Sequence, residues 1–198
     1  KKLNHAQKKN IYLISNYELM KAQLKKLKYS LKLKKVRNLN QEVKSDFLKL
    51  IDINIKFKKP FSISKKNRSD FVKKCLNLSH RLAVKEKVAG IINCAIDKSL
   101  LGKKRSGVTE YLASKCNVKN NSEVMLIRNK NLSVVPITTH VDIKQIVRRI
   151  NKIKIINKVK TIQKFFKKYF KKKPKIGILG LNPHNAEFVK DSEEKKII

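Results

Sequence analysis

Apolar and polar positions along this chain switch between two-residue and helical spacing, and the switches mark out its elements. Ile11–Ser15 is a compact apolar run. Asn16 follows it and is placed to cap a helix running through Leu27, because an Asn side-chain oxygen accepts the unpaired N–H groups of a first helical turn. Tyr29–Val36 alternates apolar residues with Lys, the period of a half-buried strand. After a polar connection over Asn38–Ser45, Phe47–Ile55 alternates again until Lys58-Lys59-Pro60 ends it. Ser69 and Asp70 open a long predicted helix whose apolar side holds Phe71, Val72, Cys75, Leu78 and Leu82. Ala89–Ile96 is almost uninterrupted apolar, the pattern of a central strand covered on both faces.

In the second half, Gly102 and Gly107 mark a loop before a short helix around Thr109–Lys115. Val124–Ile127 and Leu132–Ile137 flank Asn129-Lys130-Asn131, which predicts a hairpin. Asp142 is placed to cap a helix using Ile143, Ile146, Val147 and Ile150. A second helix carries Val159, Ile162, Phe165, Phe166 and Phe170 at helical spacing, and its Phe165-Phe166-Tyr169-Phe170 cluster reads as core. Lys171-Lys172-Lys173-Pro174 stops it, since proline cannot continue a helix. A last apolar strand leads to His184. Alternating strands and helices predict an α/β fold: a mostly parallel open sheet with flanking helices and an antiparallel element.

Two histidines stand directly after apolar strands. His140 closes Leu132–Thr139, and His184 closes Ile176–Pro183, 44 residues later, room for a helical crossover between neighbouring parallel strands. Ligands of open α/β sheets bind beyond the carboxyl ends of strands, and neutral imidazole is the commonest ligand for zinc-like ions. Taken alone, two loop histidines are a weak site, because a catalytic ion is usually held by three protein ligands. His5 and His80 stand in no comparable context.

Charge changes the picture less than its size suggests. The 198 residues carry 50 Lys and Arg against 14 Asp and Glu, a net charge of +36. Only seven of the basic residues are Arg, the residue suited to bidentate phosphate and base recognition, and the lysines are interleaved with Ile and Asn throughout. That pattern argues solvated helix faces and, at most, non-specific binding of nucleic acid. Three scattered cysteines without a Cys-x-x-Cys pair indicate reduced thiols and a cytoplasmic protein. No apolar run approaches the roughly 20 residues needed to span a bilayer.

Thr138-Thr139-His140-Val141-Asp142-Ile143 and Gly180-Leu181-Asn182-Pro183-His184 resemble the two metal-binding stretches of the 4-hydroxythreonine-4-phosphate dehydrogenase family of vitamin B6 synthesis. Gly107-Val108-Thr109-Glu110-Tyr111-Leu112 resembles the family's Gly-His-Thr-Glu substrate loop. The resemblance runs from about Asn10 to the end and is clearest over Ala89–Glu194. It implies an isocitrate/isopropylmalate dehydrogenase-like fold, with His140 and His184 holding a divalent ion (zinc, magnesium or cobalt). It implies Thr109 on the phosphorylated amino-acid substrate and Lys98 as a catalytic charge. NAD or NADP would be the hydride acceptor, at residues this chain does not identify, since Gly177-x-x-Gly180 is no dinucleotide fingerprint. A homodimer with a shared active site is implied as well, the third metal-binding His coming across its interface.

Residue by residue, alternatives stay open. Thr109 either hydrogen-bonds substrate or caps the helix that carries Tyr111, and Lys98 can equally be a solvated lysine. The family's His is Val108 here, and after His184 its Ala-Gly-Glu-Gly-Gly is Asn185-Ala186-Glu187-Phe188-Val189, with Glu187 and the later Glu193-Glu194 pair matching. The chain opens without Met and closes on Lys195-Lys196-Ile197-Ile198, which reads as part of a longer protein. It is expected to comprise an N-terminal α/β part over 10–88 and a part over 89–198 with the substrate and metal motifs. The competing readings are a non-catalytic basic module for nucleic acid or an acidic partner, and an inactive homologue of the dehydrogenase.

Overall fold

The computed structural model describes residues 3–44, 46–85, 88–102, 107–118, 122–139 and 141–198. The chain divides into two units, Lys1–Leu112 and Ala113–Ile198.

The first unit begins with α1 (His5–Lys9), closed by a reciprocal cap. The Gln7 N–H donates to Asn4 Oδ1 at 2.8 Å and the Asn4 N–H to Gln7 Oε1 at 3.0 Å. Next come β1 (Tyr12–Ser15), α2 (Tyr17–Lys26), β2 (Leu33–Lys35) and β3 (Leu48–Asp52). The three strands form a parallel sheet in the order β1-β3-β2, with Leu13 opposite Leu50 and Leu33 opposite Leu48. β3 lies in the middle, so Leu48 through Ile51 are all buried and Leu50 has no exposed surface. Its alternating pattern had predicted a half-buried strand. The buried Lys49 resolves the difference: its Nζ donates to the Lys9 carbonyl at 2.6 Å and to Tyr12 Oη at 2.7 Å. Burying a lysine is tolerable when its ammonium is bonded in this way.

Leu33, Leu48 and Leu50 form the core, against which Leu13 of β1 and Met20 and Leu24 of α2 pack. Asn16 caps α2 as its position predicts, accepting the Leu19 N–H at 2.9 Å. Its own Nδ2 donates to the Ile53 carbonyl at 3.0 Å, tying the helix start to the end of β3. The long helix, α3 (Lys65–Lys85), starts four residues before the predicted Ser69, because Ser64 Oγ accepts the Asn67 N–H at 3.3 Å. α4 (Val108–Lys115) follows, and within the first unit Tyr111 Oη donates to Asn77 Oδ1 of α3 at 2.8 Å.

Ala89–Ile96 departs from its pattern. It forms no strand, and Ile92 is 94% exposed. Apolar character alone does not make a central strand; neighbours must supply the other half of each backbone hydrogen bond, and none of the described strands pairs here.

The second unit holds the predicted hairpin, β4 (Ile127–Arg128) and β5 (Ser133–Val134), paired antiparallel. Asn129 Oδ1 forms its turn by accepting the N–H groups of Asn131 and Leu132. α5 (Ile143–Arg149) begins after Asp142, whose side chain makes no capping bond. α6 (Lys152–Phe170) is capped by Asn151, which accepts the Lys154 N–H at 2.8 Å, and stops at Lys171, whose φ is 54°. Lys158 Nζ donates to the Glu123 carbonyl and Thr161 Oγ1 to that of Ser122, fastening α6 to the segment before β4. The aromatic cluster is not core. Its rings pack on each other at the surface, with the Arg128 guanidinium 3.9 Å over the Phe170 ring. A turn over Pro183–Phe188, left-handed from His184 onward, precedes α7 (Glu193–Ile197). The helices α5 and α6 do separate the two histidine segments, but β5 pairs antiparallel with β4, and no described strand pairs with Ile176–Gly180. Among the described residues the parallel crossover is therefore not present.

Candidate active site

In the first unit, Asp97 shapes the turn that presents Lys98. Its Oδ1 accepts the Ser99 N–H at 2.9 Å, starting a single 3-10 turn over Lys98–Leu100. That backbone hydrogen bond from Ser99, with the Ser99 side chain next, holds the Asp97 carboxyl below its ordinary value. Ser69 Oγ of α3 donates to the Leu100 carbonyl at 2.6 Å, so the turn is tied to a long helix and Lys98 projects as an exposed cation. Thr109 lies in the first turn of α4, exposed, after Gly107 has taken the position before the helix. The capping role is therefore not its own.

In the second unit, His184 follows a short, well-braced stretch. Leu181 and Asn182 both donate their N–H groups to Glu194 Oε1, at 2.9 and 2.8 Å. The Asn182 amide also reaches Glu193 Oε2 at 2.9 Å and Glu194 Oε2 at 3.2 Å. The Asn182 N–H first, and more weakly its side chain and the Leu181 N–H, hold the Glu194 carboxyl below the usual carboxylate range against the opposing effect of burial. From His184 the backbone runs through five residues with φ between 47° and 54°, ending at Phe188, and the imidazole is exposed. A Cβ at Gly180 would meet Asn185 Oδ1, the end of a side chain that would have to move aside.

A cavity of about 280 Å³ in this unit is lined by Pro136, Ile137 and Thr138 on one side and Ile178 through Leu181 on another. Ile146 of α5, Ile150 just after it and Ile155 of α6 add to its apolar wall. The two segments that lead to the histidines thus border one space. His140 itself lies outside the described residues. Lys98 and Thr109 belong to the first unit and His184 to the second. Among the described residues no group of three or more His, Cys, Asp or Glu could hold a metal ion. His184 is a donor of the right kind, and the set is incomplete without residues outside that group.

The sequence singled out Glu193-Glu194 only as a pair matching the resemblance; the bonds of Glu194 to Leu181 and Asn182 are the feature it did not predict.

Parallel strands backed by helices, with an antiparallel hairpin in the second unit, define an α/β protein. The chain belongs to the family described as pyridoxal phosphate biosynthetic protein PdxA, whose model matches residues 7–198. It is 35% identical over 108 residues to the 4-hydroxythreonine-4-phosphate dehydrogenase of Aquifex aeolicus, covering 53% of this chain and 33% of that protein. It is 37% identical over 121 residues to the enzyme of the same name from Hydrogenobaculum sp., covering 59% and 38%. The fold matches the crystal structure of 4-hydroxythreonine-4-phosphate dehydrogenase from Burkholderia phymatum with a TM-score of 0.79 at 21% identity, over 96% of this chain and 59% of that one. The Klebsiella pneumoniae enzyme gives 0.74 at 18% identity, over 89% and 55%. The chain spans about a third of the length of these curated relatives. Family membership does not favour the reading as a basic binding module. No helix among the described residues is long and apolar enough to cross a membrane.

Proposed function

We propose that this chain carries out the metal-assisted, NAD- or NADP-dependent oxidation of 4-phosphohydroxythreonine, followed by decarboxylation, in pyridoxal phosphate synthesis in the cytoplasm. The observation that carries it is the shared cavity: the segments bearing both family-type histidines border one apolar space. His140 and His184 would hold the divalent ion, with a third ligand contributed across a homodimer interface. Held there, the ion would supply Lewis acidity to the substrate hydroxyl and to the ketone that develops from it. The protein's own groups bind and orient. Lys98, on a turn fixed by Asp97, offers a cation to phosphate or carboxylate. Thr109, in the first turn of α4, offers a hydroxyl and a backbone N–H to substrate at a helix N-terminus. Ile146, Ile150 and Ile155 line the cavity with apolar side chains.

Steady-state formation of reduced nucleotide by the full chain with Zn²⁺ and the phosphorylated substrate tests the reading. His184→Ala and His140→Ala should each lower kcat/KM by more than about a hundredfold, beyond what loss of a group that only supports a ligand produces. Val108→His should raise kcat/KM about tenfold, the value of one added hydrogen bond to substrate. A wild-type chain that forms no reduced nucleotide, or histidine variants that keep full activity, would establish an inactive homologue instead.

A further inference from the structure

Glu194 lies outside the motifs that carry the functional reading, yet its buried carboxylate gathers its partners from two consecutive residues, Leu181 and Asn182. In a chain with 50 basic residues, it directs its lone pairs at amides rather than at a lysine. What it grips matters. Only Pro183 separates Asn182 from His184, and proline fixes its own φ near −65°. On the far side, the Asn185 N–H donates back to the Asn182 carbonyl at 3.1 Å. Asn182 is thus held through its N–H, its carbonyl and its side chain, with Glu193 completing the grip.

We infer that Glu194 is a positioning residue: by fixing the backbone of Leu181 and Asn182, it sets where the turn presents the His184 imidazole. The consequence for metal binding rests on the reading of His184 as a ligand, whereas the consequence for the backbone does not. A ligating imidazole must be aimed before the ion arrives, and supporting contacts of this kind are worth about tenfold or more in metal affinity.

The variants are Glu194→Ala, Glu194→Asp and Glu194→Gln in the full chain, with His184→Ala alongside. Asp keeps the charge but loses reach. Gln keeps one oxygen able to accept both N–H groups. Amide hydrogen exchange at Leu181 and Asn182 and the His184 ring resonances are followed by NMR in the metal-free chain, and Zn²⁺ affinity by calorimetry. Glu194→Ala and Glu194→Asp should speed exchange at both amides, shift the His184 resonances and weaken Zn²⁺ binding about tenfold. Glu194→Gln should restore most of each. If Glu194→Ala does not fold, the contrast of Asp with Gln decides. Unchanged exchange and ring resonances in Glu194→Asp would overturn the inference. So would unaltered Zn²⁺ affinity in that variant when His184→Ala weakens binding. If His184→Ala leaves Zn²⁺ affinity untouched, the ligand reading falls, and the amide and ring signals alone judge Glu194.

Discussion

At the scale of single residues, the turn after His184 shows how far a backbone can depart from what its side chains prefer. His184, Asn185, Ala186, Glu187 and Phe188 all have φ between 47° and 54°, the left-handed region. There the Cβ of an L residue crowds the backbone, at about 1–2 kcal/mol per residue, and only glycine, with Asn to a lesser degree, escapes. At two of these positions, where the resembled family pattern has glycine, this chain has Ala186 and Phe188. Ala186→Gly should therefore stabilise the chain by up to about 1 kcal/mol, after allowing for the extra freedom glycine has when unfolded. Ala113→Gly, inside α4, should destabilise it by about the same amount. Urea midpoints measured side by side make the check, and two shifts of the same sign would show that position 186 is not strained.

Among elements, the chain announced those whose stability is local and misjudged those that depend on distant partners. Asn16 and Asn129 each stand where a short polar side chain can satisfy free N–H groups, and each does so, whereas the expected cap Asp142 makes no such bond and Asn151 caps α6 without having been predicted. Such bonds reach across two or three residues, so a one-dimensional pattern contains them. Ala89–Ile96 and Ile176–Gly180 read as strands because they are apolar, but a strand exists only through pairing, which no local pattern encodes. The same divide separates the site's parts. His184 was visible from its flanking tripeptide, whereas Glu194 acts across twelve residues on Asn182 and could be found only in space. β3 carries an element-scale expectation of its own. Burial raises the pKa of Asp52 at its end, but hydrogen bonds from Lys35 Nζ, at 2.8 Å, and from the Tyr17 N–H, at 2.8 Å, outweigh burial and leave it lowered. A carboxyl whose folded pKa is depressed contributes stability above its unfolded value, near 3.8, and that stability disappears as pH falls through the folded value. Melting temperature should therefore drop on acidification below about pH 4. Asp52→Asn should be less stable at neutral pH and show a shallower acid decline, and a decline as steep as wild type would detach Asp52 from it.

For the whole molecule, the governing quantity is a charge of +36 that little on the surface offsets. Among the described residues the ion pairs are Lys32–Asp46 and Lys35–Asp52 at 2.8 Å and Lys196–Asp191 at 3.3 Å, all with exposed or half-exposed partners. Exposed pairs of this kind contribute about 0–1 kcal/mol each and weaken as salt screens them. Repulsion among the remaining cations acts over longer distances and opposes the compact state. Screening lengths shrink from about 10 Å at 0.1 M salt to about 3 Å at 1 M, so added salt removes the repulsion before it reaches the short-range pairs. Melting temperature should consequently rise with NaCl between low and moderate ionic strength. Dilute guanidinium chloride, itself a salt, should unfold the chain less readily than the linear behaviour of neutral urea would suggest. A melting temperature that falls steadily with NaCl would mean that ion pairs outweigh the repulsion among the excess cations, and that the excess charge is already dispersed enough to cost the fold nothing.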